Sequence, residues 1–214
     1  PQGNIKGISY KEYPEKRLSP GVSEQDPSTW WNNAKLTMKD VLKKSNVSPK
    51  EIAAVSVTTQ RATTLAVDKE GNHLVPGLAW NDARTSPSVE LLKKKITRSP
   101  AWWSTCSLSK ILWIKDNQPA IFNKTYKFIQ VDGYLYHRLA GKTVTDCSNA
   151  IYGIVDTNTL EWSQELADAA GVPIEKWPDI HQSGTALGEV SAKAAEETGL
   201  TAGTPVVMGG GEVQ

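Results

Sequence analysis

Short apolar runs alternate with longer stretches of helical periodicity along the 214-residue chain. Runs rich in β-branched residues and bounded by turn residues predict strands, whereas apolar positions three and four residues apart predict helices. We therefore expect strands at 5–13, 52–58, 64–67, 127–130, 151–155, 187–190 and 205–208, and helices at 27–44, 86–96, 107–117, 131–141, 163–170 and 191–198. A hairpin turn at 68–72, with a further strand ending at Trp80, predicts an α/β fold with a mixed rather than purely parallel sheet.

The helix at 27–44 has the clearest boundary signal. Asp26 can cap its first turn, and Pro27 fits the first helical position, where an amide donor is not needed. Six apolar residues then fall on one helical face, which predicts packing against a core: Trp30, Trp31, Ala34, Met38, Val41 and Leu42. Pro119 is expected to stop the helix at 107–117, because proline disrupts a helix interior.

The last apolar run, at 205–208, leads into three glycines and then Glu212. We expect a buried strand followed by a loop with almost no side chains, which tolerates positive φ and lets another molecule approach the backbone. A carboxylate beyond such a strand lies where open α/β sheets place their ligands. Two interpretations follow: Glu212 is a general base, or it is a solvated side chain without a role.

Polar residues follow two other predicted strands. Gln60 and Arg61 come where the strand at 52–58 stops, and the planar fork of an arginine suits several oxygens at once. The alternative for Arg61 is a structural salt bridge. The cluster at 80–85 combines an aromatic ring, an amide, a carboxylate and a guanidinium, which a polyhydroxylated ligand needs. Here the alternative is that Asp82 and Arg84 pair with each other.

Composition removes several classes of function. The net charge is +1, which gives no electrostatic case for binding nucleic acid or an anionic membrane surface. The two cysteines, Cys106 and Cys147, lie far apart and suggest neither a disulfide framework nor a zinc site. No apolar run is long enough to span a bilayer, and no signal peptide is visible. A cytoplasmic setting is therefore expected.

Five motifs now become informative because they occur together and in order. They are E-Q-D-P-x-x-W-W at 24–31, T-T-Q-R-A-T-T at 58–64, W-N-D-A-R-T at 80–85, S-x-x-K-I-L-W-I-K-D-N at 107–117 and V-V-M-G-G-G-E at 206–212. The set resembles the FGGY carbohydrate kinases, in the order of that family and over nearly the whole chain. The segment at 145–150 is similar to the T-D-x-x-N-A of these kinases. We assign Asp132, Asp146 and Asn149 to structure.

The resemblance implies a ribonuclease H-like domain of the actin-like ATPase type, with a mixed β-sheet flanked by helices. Residues 1–214 would form the N-terminal, substrate-binding domain. The D-x-G-T strand with which the family opens is not found here, and the C-terminal nucleotide domain is missing as well. We therefore expect this polypeptide to be inactive by itself.

The resemblance also implies a reaction, the ATP-dependent phosphorylation of a hydroxyl group on a sugar or polyol. Glu212 would be the general base, and the expected substrate-binding residues are Gln60, Arg61, Ala62, Trp80, Asp82 and Thr105. ATP and Mg²⁺ would be bound mainly by parts missing from this chain, which contributes no metal ligand. The expected partners are the sugar or polyol and ATP. A homodimer is one option for the assembly.

Two departures from the family pattern matter, and the second leaves the substrate open. The residue after the glycines is usually Asp, and the longer Glu212 displaces its carboxylate by roughly an ångström, which can cost about a hundredfold in rate. Either the site is built around the longer side chain, or activity is reduced. The glycerol kinase branch has Glu where this chain has Ala62, and a tyrosine that falls at Thr105. The ending is closest to autoinducer-2 kinase-like members. The alternative function is a non-catalytic sugar-binding or regulatory descendant of the same fold.

Overall fold

The computed structural model describes residues 3–94 and 106–212, which form a mixed arrangement of short strands and helices. The strands are β1 (Lys16–Ser19), β2 (Val22–Gln25), β3 (Val55–Thr59), β4 (Leu65–Val67), β5 (Gly77–Leu78), β6 (Lys127–Ile129), β7 (Val144–Asp146), β8 (Val155–Asp156), β9 (Glu161–Trp162), β10 (Asp179–His181), β11 (Ala186–Glu189) and β12 (Pro205–Gly211). The helices are α1 (Pro27–Ser45), α2 (Ser86–Lys93), α3 (Ser107–Asn117), α4 (Pro119–Lys124), α5 (Val131–Ala140), α6 (Cys147–Ala150), α7 (Gln164–Ala170) and α8 (Ala192–Thr198).

The sheets contain both parallel and antiparallel pairs, as the sequence predicted. β12 is the middle strand of a three-stranded sheet, parallel to β3 and antiparallel to β11. β7 and β10 also pair in parallel, whereas β4 and β6, β1 and β2, and β2 and β5 are antiparallel. Among the described residues no strand pairs with β3 on the side away from β12, so β3 forms one edge of its sheet.

Helix α1 begins and packs as its sequence predicts. The side chain of Asp26 accepts a hydrogen bond from the backbone N–H of Ser28 at 2.9 Å, and Pro27 occupies the first turn. The helix ends at Ser45, and the following Asn46 adopts a left-handed backbone conformation. Trp30 and Trp31 are buried and anchor the helix to the core.

Two apolar clusters form the core. One surrounds α3 and includes Ile111, Ile114, Phe122, Phe128 and Trp177. The other lies between α1, α5 and the sheet of β12, and includes Trp30, Tyr134, Leu139, Val206 and Met208. The second cluster supports β12 from one side, so it fixes the strand that leads to Glu212. None of the helices within the described ranges has both the length and the apolar character of a membrane span.

The strand predicted at 5–13 is wrong. This segment has no regular secondary structure, because none of the described strands offers it a ladder partner. It lies along α1 instead, where the hydroxyl of Ser9 donates to Asp40 at 2.6 Å and the side-chain amide of Asn33 donates to the Glu12 carbonyl at 3.3 Å. Alternation of apolar and polar residues predicted a strand here, but the described part of the chain has no neighbouring strand to pair with it.

The strand predicted at 151–155 is also wrong in most of its length. The carboxylate of Asp146 accepts hydrogen bonds from the backbone N–H groups of Ser148 and Asn149, at 2.7 and 3.3 Å, and this cap starts α6. The chain then turns, and only Val155 enters a strand. Pro119 ends α3, as expected, but it also begins α4, because proline suits the first position of a new helix.

Candidate functional site

The parallel strands β3 and β12 end at the same edge of their sheet. Gly211 is in register with Thr59, and the backbone N–H of Glu212 donates to the Thr59 carbonyl at 3.1 Å. Gln60 and Arg61 follow Thr59 directly, so the two polar segments predicted at separate strand ends are neighbours. Ligand sites of open α/β sheets occur at such carboxyl ends.

The glycine run belongs to β12 and is not a loop, which corrects the prediction. The register between β12 and β3 shifts by one residue between Val207 and Gly210, so β12 carries a bulge there. A Cβ atom on Gly209 would collide with the carbonyl of Val57, and none of the three glycines has positive φ. Glycine is needed here because the two backbones approach closely.

Glu212 is exposed and lines an open cleft of about 410 Å³. Thr59 and Gln60 form its wall beside Glu212, while the segment at 9–13 and helix α1 form the opposite side. The pKa of Tyr13 in that segment is raised, first by burial and then by the negative charge of Glu212. The carboxylate therefore faces a concave surface that could hold a small molecule.

Arg61 lies against the glycine run. A Cβ atom on Gly211 would collide with the Arg61 Nε atom, and the guanidinium sits 5.8 Å from the ring centroid of Tyr152. Its Nε and Nη2 atoms are buried and have no hydrogen-bond partner, and no described carboxylate lies within salt-bridge range. The structural salt bridge considered for Arg61 is thus not formed among the described residues.

Gln60 and Ala62 are each held by a second glutamine. The side-chain amide of Gln60 donates to the Gln25 side chain at 2.7 Å, and the backbone N–H of Ala62 donates to the Gln130 side chain at 2.5 Å. Ala62 is buried and adopts a left-handed conformation with φ of 62°, which costs a non-glycine residue about 1–2 kcal/mol. Gln130 therefore stabilises the backbone turn that follows Arg61.

The remaining predicted residues have different surroundings. Trp80 is half exposed, with 50% of its surface accessible, and it is not among the residues that line the cleft beside Glu212. Asp82 is fully buried, and its carboxylate accepts from Arg84 at 2.7–3.0 Å and from the Ser23 backbone at 2.8 Å. The alternative in which Asp82 pairs with Arg84 is thus the arrangement observed, and Asp82 supports this wall from behind. Thr105 lies outside the described residues.

Several side chains that contact the site were not predicted. Tyr152 stacks near Arg61, and Gln130 bonds both Ala62 and the Asn149 carbonyl, the latter at 2.8 Å. The Ser148 hydroxyl accepts from the Gly211 N–H at 2.9 Å. Ser148 lies in the T-D-x-x-N-A segment, which offered a signal, whereas Tyr152 and Gln130 carry no local pattern that reveals their contacts.

Asp132 is buried beneath the site. It accepts hydrogen bonds from the Thr145 hydroxyl at 3.0 Å and the Asn149 amide at 3.1 Å. Burial is the main cause that raises its pKa to about 6, and the negative charge of Asp146 adds to the effect. The bonds connect α5 with β7 and α6, in agreement with the structural assignment made for Asp132, Asp146 and Asn149.

Comparison with known proteins supplies independent evidence. The chain matches the N-terminal domain of the FGGY family of carbohydrate kinases over residues 1–214. A glycerol kinase of Thermococcus kodakarensis is 33% identical over 201 residues, which are 87% of this chain and 40% of that protein. An autoinducer-2 kinase of Escherichia coli O9:H4 (strain HS) is 33% identical over 205 residues, which are 91% of this chain and 38% of that protein.

Solved structures give the same result for the fold. The xylulose kinase from Rhodospirillum rubrum is similar with a TM-score of 0.87 and 26% identity, over 94% of this chain and 44% of that one. The predicted α/β, actin-like ATPase fold is thereby confirmed. This chain spans about two-fifths of the length of the curated relatives it matches. Because the family match extends over every residue, this chain belongs to the FGGY family of carbohydrate kinases.

Proposed function

We propose that the full-length protein transfers the γ-phosphoryl group of ATP to a hydroxyl of a sugar or polyol. In this proposal the chain is the N-terminal, substrate-binding domain, and Glu212 is the general base. The observation that carries it is the position of Glu212, exposed on a cleft and bonded through its backbone to Thr59, next to Gln60 and Arg61. Membership of a family of carbohydrate kinases supports the reaction type.

The chemistry needs a base because a sugar hydroxyl is a poor nucleophile at neutral pH. As the substrate oxygen forms its bond to the γ-phosphorus and the bond to ADP breaks, a carboxylate within hydrogen-bond reach takes the hydroxyl proton. Glu212 suits this role, since its carboxylate is accessible while its backbone is held by the strand pair. The proton would leave to solvent after the product departs.

Substrate binding is assigned to the residues around the end of β3. The guanidinium of Arg61 has donors without protein partners, which suits the oxygens of a polyhydroxylated ligand. Gln60 lines the cleft beside Glu212, and the exposed ring of Trp80 can stack on the C–H surface of a sugar. Ala62 and Asp82 are buried, so we assign them to shaping and supporting this wall.

ATP and Mg²⁺ follow from the family and not from side chains described in this chain. Within 3–94 and 106–212, no group of three His, Cys, Asp or Glu side chains could hold a metal ion. As the family resemblance implies, we propose that nucleotide and metal are bound mainly outside this chain. When bound, the metal ion would spread the charge of the transferred group. The cytoplasmic setting and a homodimer stay predictions.

The test uses the full-length protein with ATP and a panel of ketoses, polyols and the autoinducer-2 precursor. ADP release with at least one of them is expected, and release with none contradicts the proposal. Glu212→Gln should lower kcat by about 10²–10⁴-fold, the usual contribution of a general base. The matched control is Glu165→Gln, an exposed carboxylate on α7, which should keep wild-type activity. If Glu212→Gln keeps full activity, Glu212 is not the general base.

One observation favours a second candidate function. Glu stands at 212, where the family usually has Asp, and this lengthens the side chain by one methylene. A descendant that binds sugars without phosphorylating them is therefore the alternative. Calorimetry that detects sugar binding by the full-length protein, together with no ATP consumption for any bound sugar, would favour it over the kinase.

A further inference from the structure

The side-chain hydroxyl of Tyr136, on α5, inserts between the backbones of β3 and β12. It accepts hydrogen bonds from the N–H groups of Val57 at 3.2 Å and Gly209 at 2.7 Å. Its single proton can be donated to the Val207 carbonyl at 3.1 Å or the Val57 carbonyl at 3.3 Å. The Ser56 side chain on β3 also hydrogen-bonds this hydroxyl, so the partners of the phenol all lie on these two strands.

The insertion coincides with the bulge of β12. Between Val207 and Gly210 this strand carries one residue more than β3, so the regular ladder is interrupted there. A bulge leaves backbone groups without ladder partners, and Tyr136 supplies a partner to Gly209. Bulges next to active sites change the direction of the chain that follows, and Glu212 comes three residues after Gly209.

We propose that Tyr136 is a positioning residue for phosphoryl transfer: its hydroxyl fixes the bulge in β12 and thereby places the Glu212 carboxylate against the substrate hydroxyl. This inference rests on the proposed function of Glu212. A second anchor lies beyond the bulge, where Gly211 donates to the Ser148 hydroxyl. Tyr136 itself is fully buried, so it acts only through the strand that it holds.

The expected kinetic effect follows from the sensitivity of catalysis to geometry. A misplacement of about 1 Å can cost about a hundredfold in rate, and partial relaxation of the bulge should cost about tenfold. The loss should appear in kcat, because Gln60 keeps its bond to Gln25 and the substrate-binding wall is retained. A substitution that merely reduced the folded fraction would lower the total activity and leave kcat per folded molecule unchanged.

The experiment compares Tyr136→Phe with Tyr134→Phe in the full-length protein. Tyr134 is the matched control because it is fully buried on the same helix, yet its hydroxyl bonds the Arg138 side chain at 3.1 Å and no strand. We expect kcat per folded molecule to fall about tenfold or more in Tyr136→Phe, with KM for the sugar within about twofold. Tyr134→Phe should stay within about twofold of wild type in both. Equal kcat values in the two variants would overturn the inference.

Hydrogen exchange followed by mass spectrometry gives a second readout that does not depend on turnover. Exchange in the segment 205–212 should be faster in Tyr136→Phe than in wild type, and unchanged in Tyr134→Phe. If Tyr136→Phe fails to fold, slow exchange of the Gly209 amide in the wild type still supports the inference, and fast exchange overturns it. If the wild-type protein phosphorylates none of the sugars, the proposed function is contradicted. The exchange measurement then tests separately whether the Tyr136 hydroxyl holds the bulge in β12.

Discussion

The backbone N–H of Glu212 donates to the carbonyl of Thr59 at 3.1 Å, so the proposed base is joined to the strand that leads into Gln60 and Arg61. Because the backbone at Glu212 is held in this way, a change in the length of the side chain directly changes the reach of its carboxylate. A change in side-chain length cannot be absorbed by a loose loop, since the glycines before it are part of β12.

The first prediction concerns that length. Glu212→Asp in the full-length protein should lower kcat by about 10–100-fold, because withdrawing the carboxylate by roughly one ångström weakens its alignment with the substrate hydroxyl. Steady-state kinetics with the preferred sugar would measure this, with Glu212→Gln as the reference for complete loss of the base. An aspartate variant as active as the wild type would mean that the site is not built around the longer side chain.

The second prediction concerns the buried pair of Asp82 and Arg84. Arg84→Ala should reduce the free energy of unfolding by about 3–5 kcal/mol, because Asp82 would be left buried without its main partner, although the charge of Lys110 also acts in this region. Arg17→Ala removes an exposed arginine, 79% accessible beside Glu15, and should cost less than about 1 kcal/mol. Urea unfolding would compare the two.

The same pair separates a supporting role from a binding role. Arg84→Lys keeps a positive charge but loses the two-pronged geometry, so its stability should lie between those of wild type and Arg84→Ala. If Asp82 supports the wall, the KM of the folded Arg84→Lys variant should change by less than about threefold. A large increase in KM without a loss of stability would instead place Asp82 or Arg84 in direct contact with the substrate.

The third prediction concerns the pH dependence of stability through Asp132. Its pKa is about 6 in the folded chain, against an ordinary value of 3.8, so between about pH 4 and pH 6 the folded state binds more protons than the unfolded state. Stability from this group is therefore greatest below about pH 4 and falls as pH rises to about 6, by about 2–3 kcal/mol in all.

Asp132→Asn removes that titration and retains an oxygen for the bonds from Thr145 and Asn149. The variant should be more stable than wild type above about pH 6, and this advantage should disappear towards pH 4. Urea unfolding at several pH values would measure it, with Asp179→Asn, an exposed position on β10, as the control. A difference between variant and wild type that does not vary with pH would contradict the assignment.

The strand ends that carry Gln60, Arg61 and Glu212 could be predicted, whereas the pairing of their two strands comes from the structure. Apolar runs that stop at polar residues identify the carboxyl ends of strands, and parallel neighbours bring those ends together. The helix starts at Asp26 and Ser191 were similarly readable, since each side chain accepts from the backbone N–H groups of its own first turn. Helix caps and strand ends depend on residues that are close in the sequence, so the sequence alone reveals them.

The contacts that hold the site could not be predicted in this way. Gln130 bonds Ala62 across 68 positions of the chain, and Tyr136 bonds Val57 across 79, so no spacing rule reveals either pair. The same limit explains the incorrect strand at 5–13, where alternation was present but a neighbouring strand was not. The same limit explains why the glycine run was wrongly predicted as a loop. Three glycines in a row are as compatible with close packing of two strands as with a loop.

The position of β3 at the rim of its sheet has a practical consequence. An unpaired strand rim is a template on which a second copy of a chain can add, and natural proteins cover such rims or protect them with charge. Among the described residues β3 pairs only with β12, and its exposed residues Ser56 and Thr58 bear no charge. Material prepared from these 214 residues alone should therefore self-associate as its concentration rises, and a lysine at Thr58 should keep it dispersed.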